Sequence, residues 1–227
     1  MKKHFRNLAV RLLKIVFGTH PYNTIFNYNW VNVSPMVRVF TELGKVMRGH
    51  IADLGAGRSP YYDLVSVNAK SYTAIDYFNT NDYLEFIKND KRNIKRVAGN
   101  IEAIPLKTES MDVVFCSQVL EHVLSPKTVL NEISRILCSN GYAIISVPHI
   151  SPIHLEPYDF YRFTPIGLSK LCETTGLQTL QTYVQGQFFA SFALCFAMNL
   201  VLRSMVFGKP IYLPPKIRPQ AKVEFEV

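Results

Sequence analysis

Cysteine pairs, repeats and long apolar runs are largely missing from this 227-residue sequence. Its four cysteines are widely spaced and form no C-x-x-C pair, so neither a zinc site nor a disulfide framework is indicated. They are typical of small buried side chains in a reducing compartment: Cys116, Cys138, Cys172 and Cys195. No internal repeat or low-complexity segment is evident. We therefore expect a cytoplasmic protein whose fold depends on neither disulfides nor structural zinc.

Acidic residues are also scarce. The chain has 17 Asp and Glu against 25 Lys and Arg, which leaves a formal net charge of +8. The excess favours an anionic partner, namely nucleic acid, an acidic membrane surface or an anionic substrate. No basic run interleaved with aromatic residues marks a nucleic-acid groove, so a nucleic-acid partner is disfavoured. The length and the 48% hydrophobic content suit one α/β domain with a full core and some elaboration.

A full membrane span is disfavoured for the apolar segment Phe188–Leu202. As a helix it would rise roughly 22 Å, against a hydrocarbon core of about 30 Å. Shallow insertion into a membrane and packing against the domain or a second subunit both stay open. At the other end, residues 1–17 place basic side chains on one half of a helical wheel and apolar ones on the other. That pattern fits a helix on an anionic membrane surface or one packed on the domain, but Arg11 and Lys14 rule against a signal peptide.

A strand, a glycine turn and a helix start follow one another in the first half of the chain. The apolar run Ile51–Leu54 is typical of a buried parallel strand. Gly55 and Gly57 allow a sharp turn and let a ligand approach without meeting side chains. Ser59-Pro60 predicts the N-cap and first turn of a helix. This is the layout of a nucleotide-type site at the carboxyl end of a parallel sheet.

The side chains around this turn favour S-adenosylmethionine (SAM) over a dinucleotide. Pro60 stands where a dinucleotide fingerprint has a third Gly or Ala. The carboxylate of Asp53 would repel a pyrophosphate, whereas it suits a cationic ligand with an amine and a sulfonium. Here the sequence resembles the class I SAM-dependent methyltransferases, whose first motif reads acid-x-Gly-x-Gly. Ser59 replaces the usual third glycine of that motif.

The next two strands end in further candidate cofactor contacts. Tyr72–Ile75 leads to Asp76, about 20 residues past the glycines, where a carboxylate can accept hydrogen bonds from both ribose hydroxyls. A third strand, Ile94–Ala98, is followed by Asn100 and Ile101. The resemblance implies that Asn100 faces the adenine amino group, where the family usually has aspartate, and that Ile101 packs on the adenine face.

An ordered set of motifs from Asn100 to Pro148 extends the resemblance. It contains Ile-Pro-Leu, Asp-Val-Val, Leu-Glu-His-Val, an amphipathic helix that starts at Ser125-Pro126, and Asn-Gly-Tyr before a strand over 142–147. These recur in this order in the type 11 methyltransferase superfamily, and the resemblance covers about residues 45–185. It implies an α/β fold, a Rossmann-like, doubly wound, mostly parallel seven-stranded sheet with helices on both faces and a reversed last strand. It also places Gln118 among the cofactor contacts.

The segment His154–Pro165 resembles a motif of bacterial methyltransferases associated with surface-polysaccharide biosynthesis. The resemblance implies a sugar or lipid-linked glycan hydroxyl as methyl acceptor, with Tyr158, Asp159 and Arg162 as substrate contacts. The residues themselves leave two roles open for Asp159 and Arg162, which lie three positions apart. They can brace the loop as a local pair, or they can grip an anionic or sugar substrate.

Three histidines follow the fourth and fifth strands, where a hydroxyl acceptor would need a general base. His149 and His154 are the preferred catalytic candidates, ahead of His122, and each also fits a structural role. The run from Gln118 through Glu121 to His122 resembles the Glu-x-x-Glu-His magnesium sites of ubiquinone O-methyltransferases and small-RNA 3′-end methyltransferases. Because an amide replaces the first carboxylate, it suits a hard cation poorly, and we expect no bound metal.

The sequence divides into three parts. Residues 1–33 hold the basic amphipathic helix and a loop, 34–185 the SAM-binding core, and 186–227 the hydrophobic helix, a Pro-rich segment and a last strand. A weaker strand is predicted over 177–184. We expect SAM-dependent methylation of a sugar or lipid-linked glycan in the cytoplasm, with peripheral contact at the inner face of the membrane left open. An RNA or quinone methyltransferase and a non-catalytic SAM-binding protein are the alternatives, and the oligomeric state is undetermined.

Overall fold

A computed structural model describes residues 30–184 of the chain, apart from residue 79. The predictions for residues 1–17, 188–202 and 223–227 lie outside the described residues. Helices and strands alternate except between the third and fourth strands, which a loop connects, and a short 3₁₀ turn, Leu120–His122, follows the fourth strand. The elements are α1 (Trp30–Gly44), β1 (Arg48–Leu54), α2 (Tyr62–Val65), β2 (Asn68–Asp76), α3 (Asn81–Asn89), β3 (Lys95–Ala98), β4 (Met111–Ser117), α4 (Pro126–Ile136), β5 (Leu137–Ser146) and α5 (Pro165–Glu173).

The strands form one parallel sheet in the order β3-β2-β1-β4-β5. The chain winds outward from β1 to β3 and then crosses to the other side of β1, so the strand order reverses between β1 and β4. Ligands bind at such a switch point in open α/β sheets, outside the carboxyl ends of the strands. The Rossmann-like, doubly wound architecture is therefore confirmed in outline.

The sheet has five strands within residues 30–184, whereas seven were expected for the whole chain. The weak strand predicted over 177–184 pairs with no other strand, and Leu180 in its centre is exposed to solvent. Its alternation was too weak to place an apolar side on the core. The reversed last strand was predicted over residues that are not described.

Alternate residues of the central strands pack into two separate clusters, one on each face of the sheet. Ile51 contacts a cluster that includes Met36 and Phe40 of α1. Ala52 and Leu54 belong to the other cluster, which contains the buried stripe of α4: Val129, Leu130, Ile133 and Ile136. Because β1 and β4 are buried on both faces, they are apolar without alternation, as parallel strands usually are. The prediction of helices on both faces is confirmed.

Several predicted boundaries are wrong by a few residues. Ser34-Pro35 does not begin α1, since buried Val33 extends the apolar stripe upstream and Pro35 lies inside the helix. Gly49 lies in β1 at φ +83° instead of ending that helix. The strand predicted from residue 142 begins at Leu137, and the register of β4 with β5 shifts between Met111 and Val113. The Asn-Gly pair therefore forms an irregularity within β5, because Asn140 takes the left-handed conformation there.

Candidate cofactor and acceptor site

The two glycines after β1 serve different needs. Both have positive φ, +61° at Gly55 and +49° at Gly57, which side-chain-bearing residues rarely adopt. A Cβ at Gly55 would lie 2.6 Å from the Val119 side chain, so this glycine permits close packing against the segment after β4. A Cβ at Gly57 would meet no atom within 4 Å. Gly57 therefore faces open space at the end of the sheet where a ligand is expected.

Asp76 closes the same corner from the end of β2. Its Oδ2 accepts a hydrogen bond from the Gly57 N–H at 2.8 Å, and its Oδ1 accepts one from the Tyr77 N–H at 2.7 Å. The Ala56 N–H donates to the Ile75 carbonyl at 3.2 Å, which ties the turn to β2. A carboxylate has about four acceptor sites, so each oxygen retains one for a ribose hydroxyl. The geometry fits the ribose contact predicted for Asp76.

Asp53 lies beneath the turn instead of at its surface. Its side chain is buried, and its Oδ2 accepts a hydrogen bond from the Tyr72 hydroxyl at 2.7 Å. Burial raises the pKa of Asp53 to about 7, although the Tyr72 hydrogen bond acts in the opposite direction. The structure thus gives Asp53 a supporting position in place of the direct ligand contact predicted. Ser59 is also buried, at φ +46°, and α2 begins at Tyr62 with no side-chain cap, so the predicted cap pair is wrong.

Asn100, Ile101 and Gln118 line the same edge but are partly used by the protein itself. The Asn100 side-chain oxygen accepts a hydrogen bond from the Glu102 N–H at 2.9 Å, which leaves one lone pair for an adenine amino group. Ile101 is only 7% exposed, so little more than its edge is free for adenine. Gln118 has φ +57° directly after β4, and its Nε2 donates to the Ser146 hydroxyl at 3.3 Å. Such strained residues cluster at functional sites.

Arg92 holds the outer half of the turn, which the sequence did not indicate. Its guanidinium donates to the carbonyls of Arg58 and Ser59, both at 2.7 Å, and to Asp90 from Nε at 2.8 Å. Arg96 also donates to Asp90. Hydrogen bonds from Arg92 lower the pKa of Asp90 to about 2. No motif surrounds Arg92, which lies 33 residues from Ser59, so only the folded chain reveals the contact.

The loop after β5 is braced from inside by Arg162. The guanidinium has five N–H donors, and all five are used within the loop. The acceptors are the carbonyls of Ser151 (3.0 Å), Tyr161 (2.7 Å) and Pro152 (2.9 Å) and the two carboxylate oxygens of Asp159 (2.6 and 2.7 Å). Arg162 therefore has no donor left for a substrate, and the Asp159 side chain is 1% exposed. Of the two roles open from the sequence, the structure supports bracing, and the substrate contact predicted for this pair is corrected.

The braced loop lies against the segment after β4 and brings histidines together there. The Phe160 N–H donates to the Glu121 carbonyl at 2.8 Å. His122 Nδ1 is 2.6 Å from the Tyr158 carbonyl, and the rings of His122 and His154 are 5.0 Å apart and perpendicular. The Tyr158 side chain is exposed and free to contact an acceptor.

His149 stands at the start of the same loop with an exposed imidazole. Its Nδ1 lies 3.1 Å from the Phe163 carbonyl. In the neutral tautomer that donates Nδ1–H to that carbonyl, Nε2 carries the lone pair that a general base requires. The two predicted catalytic candidates, His149 and His154, thus lie on one loop, although only His154 joins His122 and Glu121.

None of the helices within residues 30–184 is both long and apolar enough to cross a membrane.

Comparisons with known proteins agree with this geometry. Residues 52–145 match the family described as "Methyltransferase domain". An uncharacterized protein of Methanocaldococcus jannaschii is 35% identical over 97 residues, which are 43% of this chain and 40% of that protein. A "Probable S-adenosylmethionine-dependent methyltransferase" of Mycolicibacterium smegmatis is 26% identical over 138 residues, 58% of this chain and 53% of the relative. The solved structure of the cyclase SpnF has a TM-score of 0.63 at 14% identity, covering 90% of this chain and 82% of that chain.

These matches carry different weight. At 14% identity the likeness to SpnF shows the fold alone. The chain spans about half or less of the length of the curated relatives named above. The family match covers both glycines, Asp76 and the Glu121-His122 segment. Residues 52–145 therefore match a methyltransferase domain, and the mycobacterial relative is described as a probable SAM-dependent methyltransferase.

Proposed function

We propose that this chain transfers a methyl group from SAM to a hydroxyl of a sugar or lipid-linked glycan. The observation that carries the proposal is the corner formed by Gly57 and Asp76. An open backbone turn and a carboxylate with free acceptor sites meet there at the carboxyl ends of neighbouring strands. The loop after β5 lies at the same end of the sheet and supplies the acceptor side.

The chain's own residues would mainly position the reactants and handle one proton. When bound, SAM supplies an electrophilic methyl carbon, whose in-line transfer leaves a neutral thioether. Asp76 would hold the ribose, while the turn at Gly55 and Gly57 would let the ligand approach the backbone closely. His149 would accept the proton of the acceptor hydroxyl at Nε2, since Nδ1 is engaged with the Phe163 carbonyl.

The composition of the loop favours an acceptor without phosphates over RNA. Arg162 is the only Lys or Arg between residues 149 and 164, and every donor of its guanidinium is used internally. The loop therefore has no free guanidinium or ammonium to contact phosphates, on which nucleic-acid affinity mainly depends. A quinone-type acceptor that carries a ring hydroxyl is the closest alternative, because it too needs no phosphate contact from the loop.

Loss of the Asp76 carboxylate should weaken SAM binding strongly. We expect Asp76→Ala to lower the affinity by about 1–3 kcal/mol, the scale of lost hydrogen bonds to a charged group. Calorimetry measures the effect, with Asp82→Ala as the control, because Asp82 is exposed in the first turn of α3. Transfer of label from SAM to glycan, quinone and RNA acceptors then identifies the acceptor class. Wild-type affinity in Asp76→Ala, or tighter binding of NAD than of SAM, would contradict the proposal.

A lipid-linked acceptor would require the protein to work at a membrane surface. The acceptor side exposes several large apolar side chains, including Ile153 (66% exposed), Leu155 (69%) and Leu124 (72%). Large apolar side chains left exposed on one side of a protein are often part of an interaction site. The basic and apolar pattern of residues 1–17 supports the same placement, since each Lys or Arg near an anionic leaflet contributes about 1 kcal/mol.

Flotation with vesicles should detect this contact. We expect binding to phosphatidylglycerol vesicles at low salt and weaker binding to phosphatidylcholine vesicles. Removal of residues 1–17 should reduce binding to the phosphatidylglycerol vesicles, because the cations are lost. The double variant Ile153→Asp, Leu155→Asp should reduce binding to both kinds of vesicle, whereas Leu180→Asp, at another exposed position, should not. A protein that ignores anionic vesicles would refute the membrane contact without affecting the proposed chemistry.

A further inference from the structure

We propose that Glu121, His122 and His154 bind one divalent transition-metal ion, with Zn²⁺ as the preferred ion. Each residue offers one ligand atom, and the three atoms lie within 4.8 Å of one another. This revises the expectation of no metal, which considered only residues near Gln118. The third ligand comes from the loop after β5, and no sequence spacing connects His154 to Glu121.

Glu121 is the strongest indication of a missing cation. Its side chain is 0% exposed, and neither carboxylate oxygen has a hydrogen-bond partner among the described residues. An unpaired buried carboxylate costs several kcal/mol, and native proteins rarely leave one without an ion, a partner or a proton. A metal ion in contact with Oε1 would supply the missing partner.

His122 is oriented as metal-binding histidines usually are. Its Nδ1 is 2.6 Å from the Tyr158 carbonyl, so that an Nδ1–H bond leaves the Nε2 lone pair free. Nε2 lies 3.7 Å from Glu121 Oε1. Tetrahedral zinc with bonds of about 2.1 Å places its ligand atoms roughly 3.4 Å apart, so this pair needs to move little.

His154, like His122, has its Nδ1 close to oxygen atoms of the protein. Its Nδ1 lies 3.2 Å from the Pro152 carbonyl and 3.4 Å from Asp159 Oδ2, which leaves Nε2 for an ion. The backbone N–H of His154 donates to Asp159 Oδ2 at 2.8 Å, and Arg162 holds the Asp159 carboxylate in turn. The bracing of the loop thus also positions this candidate ligand.

The donor set selects the kind of ion. Two imidazoles and one carboxylate are the ligands of open catalytic zinc sites, which keep a fourth position for water or substrate. Mg²⁺ prefers an octahedron of oxygens, and the only oxygen donor here is Glu121. If the proposed methyl transfer is correct, the fourth position would hold the acceptor hydroxyl and lower its pKa. That role rests on the proposed function, whereas metal binding itself does not.

Metal binding to the full chain without SAM tests the site. After removal of metals with a chelator, Zn²⁺ and Mg²⁺ are titrated separately by calorimetry, and Co²⁺ is followed by its visible absorption. We expect one Zn²⁺ per chain and no binding of Mg²⁺. Glu121→Gln and His154→Asn should each weaken Zn²⁺ binding at least tenfold and abolish the Co²⁺ spectrum. His50→Asn is the matched control, because His50 lies on β1 and bonds to Ser71 outside the cluster.

Absence of bound Zn²⁺, or equal affinity in the wild type and His154→Asn, would overturn the inference. The result would mean that Glu121 is simply protonated in the fold. Circular dichroism checks that each variant is folded. If Glu121→Gln does not fold, His154→Asn tests the site, because His154 is only half-buried. Because no step uses SAM, a chain that binds Zn²⁺ without transferring methyl groups would reject the proposed function and keep the metal site. A chain that transfers methyl groups but binds no Zn²⁺ would keep the proposed function and reject the metal site.

Discussion

Gly55→Ala should destabilise the fold, whereas Gly57→Ala should mainly weaken SAM binding. At Gly55 an added Cβ meets the Val119 side chain at 2.6 Å, and the left-handed backbone adds strain. Together these effects should lower the free energy of unfolding by about 2–5 kcal/mol. At Gly57 only the strain of roughly 1–2 kcal/mol applies, because the space is open. The methyl group would instead occupy ligand space and reduce SAM affinity about tenfold or more.

Denaturant unfolding and calorimetry on the same two variants separate these effects. The double variant Gly55→Ala, Val119→Ala removes the atoms that collide, so it should recover the packing part of the Gly55 loss. Equal losses of stability in Gly55→Ala and Gly57→Ala would show that strain, and not contact with Val119, decides the outcome. Unchanged SAM affinity in Gly57→Ala would place the ligand elsewhere.

Asp53 should make the protein less stable as the pH rises from about 4 to about 7. Burial raises the pKa of Asp53 from 3.8 to about 7, although the Tyr72 hydrogen bond and Arg96 favour its charged form and Asp76 opposes it. In this window the folded state keeps a proton that the unfolded state has lost, so the free energy of unfolding falls with pH. The change is at most about 4 kcal/mol.

Asp53→Asn should remove Asp53's share of that slope. Asparagine has the same shape, keeps an acceptor for the Tyr72 hydroxyl and cannot ionise. Unfolding free energies at pH 4, 5.5 and 7 should therefore fall less steeply than in the wild type, while the exposed control Asp82→Asn should leave the slope intact. The lowered pKa values of Asp90 and Asp159 act in the opposite sense, but only below about pH 4. A slope unchanged by Asp53→Asn would mean that Asp53 is already charged at pH 5.5.

The sequence predicted the interior of the fold better than its boundaries. Buried parallel strands are continuous apolar runs, so β1 and β4 were recognisable from local composition alone. The ends of α1 and β5 were not, because Pro35 is tolerated inside a helix and an Asn-Gly pair inside a strand when tertiary contacts require it. Local turn-forming residues predicted an element boundary at both places, but tertiary packing continues the helix and the strand through them.

Some residues of the candidate site were predictable from the sequence, and others were not. Gly57 and Asp76 were predictable because each stands at a fixed distance from a strand end. Arg92 and the meeting of Glu121 with His154 were not, since both join segments that only the folded chain brings together. Arg162 shows a third case: the sequence offered two roles for it, and counting its donors in the structure left one.

The internal bracing by Arg162 also bears on how such a protein could change its substrate over evolution. The Arg162 side chain that holds the loop in shape bonds to groups within it, whereas the side chains of Ile150, Ile153 and Tyr158 are largely exposed to solvent. If this loop is the acceptor side, as proposed, substitutions at these outward positions would change the acceptor preference without collapse of the loop. A library randomised at these three positions, with Arg162 and Asp159 kept, would be a compact starting point for redirecting the enzyme.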